Sequence, residues 1–167
     1  MKQLEPNKLS KSELLQLKEE NLLFITYPGR MGDEDGSTFI MKQGDEFIIY
    51  RVDGWMFPKE GERVEISLKD LFQQFPKWYD VLEHEREKDY HGKYKYTYMG
   101  FGNGLCVDSS IWSEFEPYLK KEVEEYLKDS SVEEKKSLQY AAVFNSWERA
   151  FLELADDKGY VLKQIGK

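Results

Sequence analysis

Ser37-Thr38-Phe39-Ile40-Met41-Lys42-Gln43-Gly44-Asp45-Glu46-Phe47-Ile48-Ile49-Tyr50-Arg51-Val52 decides the fold class. Two runs rich in β-branched and aromatic residues, Ser37 to Lys42 and Glu46 to Val52, flank Gln43-Gly44-Asp45, a link whose length and composition suit a β-hairpin. Upstream, Leu22-Leu23-Phe24-Ile25-Thr26-Tyr27 has the same character and extends the pair to a three-stranded meander. The loop between, 28–36, is made of turn formers and acids and includes the consecutive Asp33, Glu34 and Asp35.

Working outward, Ser10 with Glu13 forms a capping box for a short amphipathic helix carrying Leu14, Leu15 and Leu17. After the hairpin, Asp53-Gly54-Trp55-Met56-Phe57-Pro58 breaks the strand, and 63–66 reads as a further short one. Ser67 and Asp70 cap a helix over 68–75, and Pro76 suits the first turn of a second over 77–88. Tyr94, Tyr96 and Tyr98 then alternate with Lys95 and Thr97, which predicts a β-hairpin turning at Gly100-Phe101-Gly102-Asn103-Gly104. The last third is helical. Asp108, Ser109 or Ser110 caps a helix with Ile111, Phe115, Leu119 and Val123 on one stripe, flanked by Tyr118, Tyr126 and Leu127. Ser131 with Glu134 starts another, in which Tyr140, Phe144, Trp147, Phe151 and Leu154 step by three and four until Asp156-Asp157-Lys158-Gly159, and Tyr160-Val161-Leu162 reads as an edge strand. The expected architecture is α+β: one domain over 1–167, an antiparallel sheet of five or six strands with the C-terminal helices packed on one face.

Composition limits the function. The chain has 24 Lys+Arg against 32 Asp+Glu, a net charge of −8 shared equally by the two halves, so there is no basic arm for a phosphate backbone and direct nucleic-acid binding is disfavoured. With 15% aromatic residues it has ample side chain to bury. The single cysteine, Cys106, and an N-terminal segment without an apolar stretch predict a cytoplasmic protein, and no run is long enough to cross a membrane.

Signatures of chemistry are sparse. The glycines at 100, 102 and 104 lack the spacing of a dinucleotide fingerprint and the Lys-Ser/Thr of a P-loop, so a sheet turn explains them. Weak metal candidates are His84 and His91, seven residues apart among Glu83, Glu85, Glu87 and Asp89, a pattern that equally describes a solvated helix face. Cys106, between Leu105 and Val107, reads as a small core residue. Neither a catalytic group nor a cofactor is assigned, and an enzyme is disfavoured. Tyr90, Tyr94, Tyr96 and Tyr98 suit half-buried sheet packing or a protein interface, and Trp55, Trp78 and Tyr79 suit caps on the core or anchors for a partner.

The segment Tyr98-Met99-Gly100-Phe101-Gly102-Asn103-Gly104-Leu105-Cys106-Val107-Asp108, leading into Ile111-Trp112-Ser113-Glu114-Phe115, resembles the small acidic immunity proteins of bacterial polymorphic toxin systems, including those paired with LXG-type toxins. The resemblance implies a stoichiometric inhibitor that binds a cognate toxin domain, often a basic nuclease, and covers its active site. It assigns no residue a role. Physical reasoning supplies the contact instead: an acidic surface steers a basic partner and aromatic anchors slow its release, which nominates Asp33, Glu34, Asp35, Asp45, Glu46, Trp55, Trp78 and Tyr79. The competing readings are a small-ligand-binding protein or metal-dependent enzyme of unknown reaction, and a cytosolic interaction adaptor.

Overall fold

A computed structural model of the chain describes residues 15–27, 37–52, 72–84, 93–100 and 103–165. The opening hairpin forms as the sequence predicts: β2 (Ser37–Gln43) and β3 (Glu46–Val52) pair antiparallel from Gln43 opposite Glu46 to Ser37 opposite Val52. Gly44 turns the chain in the left-handed region at φ 58°, a conformation a side chain would disfavour. β1 (Leu22–Tyr27) pairs on the other side of β2, where Ser37 Oγ donates to the Thr26 carbonyl at 2.6 Å and the Thr38 amide donates to Thr26 Oγ1 at 2.9 Å.

The second hairpin joins β4 (Tyr94–Tyr98) to β5 (Gly104–Asp108), and β5 pairs antiparallel with β1. With β6 (Val161–Ile165) the sheet has six strands in the order β4-β5-β1-β2-β3-β6. The tail is the expected edge strand, but it runs parallel to β3, Glu46 opposite Val161, so one pairing departs from the antiparallel pattern. The helices explain this: α2 (Ser109–Leu127) leaves the end of β5 and α3 (Val132–Lys158) returns, delivering β6 alongside β3 in β3's own direction.

Both faces of the sheet are covered. On one, Phe24 lies at the centre, its ring centroid 4.9 Å from Phe115 of α2 and 5.1 Å from Phe151 of α3, with Trp147 stacked at 6.3 Å. The C-terminal helices therefore pack on one face, as expected. On the other, Leu22, Ile25, Phe39, Met41, Tyr50 and Cys106 meet Phe72, Phe75 and α1 (Pro76–His84). The two-sided burial is why the strands read as unbroken apolar runs. An irregularity between Leu22 and Phe24 lets Leu23 and Phe24 pack toward the same helices while Leu22 and Ile25 face α1. α1 is fixed at its start by Glu19, whose Oε2 accepts from the Lys77 amide at 2.7 Å, and Gln74 Nε2 donates to the Leu17 carbonyl at 2.8 Å.

Of the other elements expected here, 72–74 is helical and α1 runs Pro76–His84; the segments 1–14, 28–36, 53–71 and 85–92 lie outside the described residues.

Candidate functional site

α3 is longer than the layer it packs on. From Ala142 onward it buries Val143, Trp147, Ala150, Phe151 and Leu154, yet 132–140 are all exposed, about 14 Å of helix that the core does not use. The sequence equips this stretch to stand on its own. Ser131 caps it by accepting from the Glu134 amide at 3.1 Å, and Glu133 and Glu134 favour its positive end.

The overhang corrects the sequence reading of the α3 stripe. Tyr140 is in phase with Trp147 and Leu154, one heptad apart, so periodicity puts it in the core; instead it is 51% exposed, and Phe144 is 43% exposed. The helix has run past the sheet at that point. What Tyr140 meets there is Tyr98 at the end of edge strand β4, their rings edge to face at 4.8 Å, with Tyr98 itself 37% exposed. Tyr98, Tyr140 and Phe144 thus bring aromatic side chains to the surface where α3 leaves the sheet.

Beside them lies a trough of about 650 Å³. Trp112, Leu119, Val123 and Leu127 of α2 and Val143 of α3 supply its apolar lining, Thr97 of β4 closes one wall, and Glu116, Lys120, Glu124, Lys135 and Gln139 are its charged and amide members. Gln139 and Val143 line the trough, while their sequence neighbours Tyr140 and Phe144 reach the surface.

A polar seam also joins α2 to α3. Tyr118 Oη donates to Asp157 Oδ2 at 2.7 Å, Lys121 Nζ lies 3.7 Å from Glu153 Oε2, and Arg149 Nη1 lies 3.9 Å from Glu122 Oε2. Glu122 is buried there. A hydrogen bond shared with Glu153, then burial, then the Glu153 charge hold its carboxyl above the usual carboxylate range, against the pull of Arg149 and Lys121. Between Ser109 and Lys158 the chain has seven basic and twelve acidic residues, a net −5, so most of the total of −8 sits on this helical hairpin.

The residues nominated from sequence are scattered. Trp78 is corrected: it is 1% exposed, its ring 4.6 Å from Tyr94 between α1 and the sheet, so it is a core residue and offers a partner nothing. Tyr79 is half-buried against Phe72 at 5.1 Å. Asp45 and Glu46 are exposed at the β2–β3 turn, three to four strands or roughly 15–20 Å across the sheet from Tyr98. Asp33, Glu34, Asp35, Trp55 and His91 lie outside the described residues, as does the His84 side chain. Of the tyrosines read as sheet packing or interface, Tyr94 is buried in the core on the α1 side, Tyr96 is half-buried against it and Tyr98 reaches the surface.

Cys106 is fully buried, and burial, with a smaller contribution from Asp108, drives its thiol far above the ordinary range. Among the described residues no three His, Cys, Asp or Glu side chains gather as a metal site, and no helix is long and apolar enough to cross a membrane. No protein-family model, no curated protein and no solved structure matches the chain.

Proposed function

We propose that this chain is an immunity-type binding protein that recognises a basic toxin domain and neutralises it by covering its active site. One observation carries the reading: where α3 overruns the sheet, Tyr140 and Phe144 come to the surface beside Tyr98 of β4, on a chain of net charge −8. Exposed aromatic side chains slow a partner's release, and the chain's overall negative charge steers a basic one toward it. The resemblance of the 98–115 segment to immunity proteins supports the same reading, and that segment supplies Tyr98 and the start of α2.

The test is whether a gene adjacent to this chain's encodes a protein with a toxin-like C-terminal domain, followed by co-expression with that domain. Growth is restored, and the purified proteins associate at a rate that falls steeply with salt. The double variant Tyr140→Ser/Phe144→Ser speeds dissociation about tenfold or more, while the protein stays folded with a melting temperature lowered by the loss of the Tyr98–Tyr140 contact. Absence of both rescue and binding overturns the proposal.

A further inference from the structure

Six of the eight large apolar side chains that stand exposed among the described residues, Tyr98, Tyr126, Val132, Leu138, Tyr140 and Phe144, lie on or beside the stretch where α3 outruns the sheet. Apolar surface gathered at one end of a molecule marks an association site. The charges say with what. Four of the seven basic residues of the α2–α3 hairpin, Lys120, Lys121, Lys128 and Arg149, are ion-paired within the hairpin at 2.6 to 3.9 Å. Lys135 and Lys136 are exposed and have no ion-pair partner among the described residues, and the same holds for the side chains of Glu133 and Glu134 just before them. The overhang therefore carries two acids followed by two bases and is neutral, on a chain whose −8 would otherwise repel another copy of itself. The order of those charges matters. Laid on itself in the same direction, the stretch opposes like charges; reversed, it sets Glu133 and Glu134 of each copy beside Lys136 and Lys135 of the other. Glu133, Lys136, Tyr140 and Phe144 follow one another by three- and four-residue steps, so one face of the helix carries an acid, a base and both aromatics.

We infer that the exposed first turns of α3 pair antiparallel with the same turns of a second copy of this chain, about a twofold axis near Glu134 and Lys135. Each copy offers the same patch, so the contact closes at two copies. Tyr140 then lies about 8 Å from the axis along the helix, against the turn that joins α2 to α3 in the other copy. The contact goes beyond the toxin reading and needs no toxin; because it uses Tyr140 and Phe144, a toxin domain that binds there competes with the second copy.

The experiment is analytical ultracentrifugation of the whole chain. A helix contact about 14 Å long is small, so a weak dimer is expected, monomeric at about 1 µM and populated at about 100 µM and above. Glu133→Lys/Glu134→Lys and Lys135→Glu/Lys136→Glu, both at exposed positions, each oppose like charges in the pair and raise the dissociation constant about tenfold or more; mixed one to one, the two variants restore the dimer, because each then meets its opposite. Dilution of the isotope-labelled parent chain, followed by NMR, needs no variant and is expected to move amide signals of 132–144 and of the α2–α3 turn. A parent chain that stays monomeric to about 500 µM, a dimer that both charge variants leave unchanged, a mixture of folded variants that stays monomeric, dilution shifts confined to other parts of the chain, or growth beyond two copies would each overturn the inference. A monomeric parent leaves the aromatic surface to the toxin domain and the partner reading stands; a dimer with this charge pattern stands even where no toxin domain binds.

Discussion

Lys93 Nζ lies 2.8 Å from Asp108 Oδ2, and Asp108 Oδ1 accepts from the Ser110 amide at 2.9 Å, so one buried carboxylate ties the start of β4 to the junction of β5 and α2. The Ser109 amide completes the link by donating to the Lys93 carbonyl at 2.8 Å. Burial alone would push the Asp108 carboxyl up; the Lys93 ammonium and the Ser110 bonds outweigh it and hold the group below the usual carboxylate range. A lowered value means the stabilisation is present above the ordinary carboxylate pKa and is lost as the pH falls through the folded-state value. Asp108→Ala is expected to lower unfolding free energy by about 2 kcal/mol at pH 7, from a lost helix cap and the lost partner of a half-exposed Lys93. Asp108→Asn, which keeps the cap, loses less, and its stability no longer carries this acid-limb contribution below about pH 4. Urea unfolding at pH 7 and in that acid range checks both; an Asp108→Ala protein as stable as the parent would remove the junction from the account.

Gly104 is where Tyr96 crosses its neighbour strand. A Cβ at Gly104 would run into the phenol end of Tyr96, which sits diagonally opposite it across β4 and β5. Gly104→Ala therefore costs about 1–3 kcal/mol by forcing the ring out of place. In a Tyr96→Ala background most of that cost disappears, since the obstacle is gone. The double-mutant cycle measures the coupling directly, and additive effects would show that the glycine is needed for some other reason.

Cys106 sits in the core between the sheet and α1, and burial disfavours its thiolate. The folded protein is expected to react with a disulfide reagent such as DTNB only as fast as it opens, with full reactivity appearing across the urea unfolding transition. Immediate stoichiometric reaction in native buffer would contradict the buried placement.

Elements set by local chemistry were legible in the sequence. Gly44 between two β-rich runs, Asp108 and Ser131 as caps, and the four-residue steps from Ile111 to Val123 each report a structure decided within a few residues. The site was not legible, because it depends on where elements end relative to one another. Tyr140 carries the periodicity of a core residue and becomes a surface residue only because β4, which ends at Tyr98, lies beneath the point where α3 departs. Trp78 carries the composition of an anchor and is buried because the apolar face of α1 packs on strands far away in sequence, with Trp78 against Tyr94. Leu22-Leu23-Phe24-Ile25 and Phe47-Ile48-Ile49-Tyr50 do not alternate, which is the mark of a sheet covered on both faces.

Glu122 responds to pH in the opposite sense to Asp108, and in a different range. Its carboxyl is raised because it shares a hydrogen bond with Glu153 inside the α2–α3 seam, is desolvated there and feels the second carboxylate, while Arg149 at 3.9 Å and Lys121 only partly compensate. A raised value means this contribution is fully present below the ordinary carboxylate pKa and is lost as the pH rises through the folded-state value, where the seam must hold two negative charges. The α2–α3 hairpin is thus expected to lose stability between mildly acidic and neutral pH. Glu122→Gln keeps a hydrogen-bond donor toward Glu153 and removes the charge, so it should raise the melting temperature at neutral pH and flatten the dependence on the alkaline side, leaving the acid limb governed by Asp108 in place. Melting curves from about pH 4 to pH 8 for the parent, Glu122→Gln and Asp108→Asn separate the two groups. A Glu122→Gln profile parallel to the parent's across that range would mean that the Glu122 carboxyl does not carry the pH dependence of the seam.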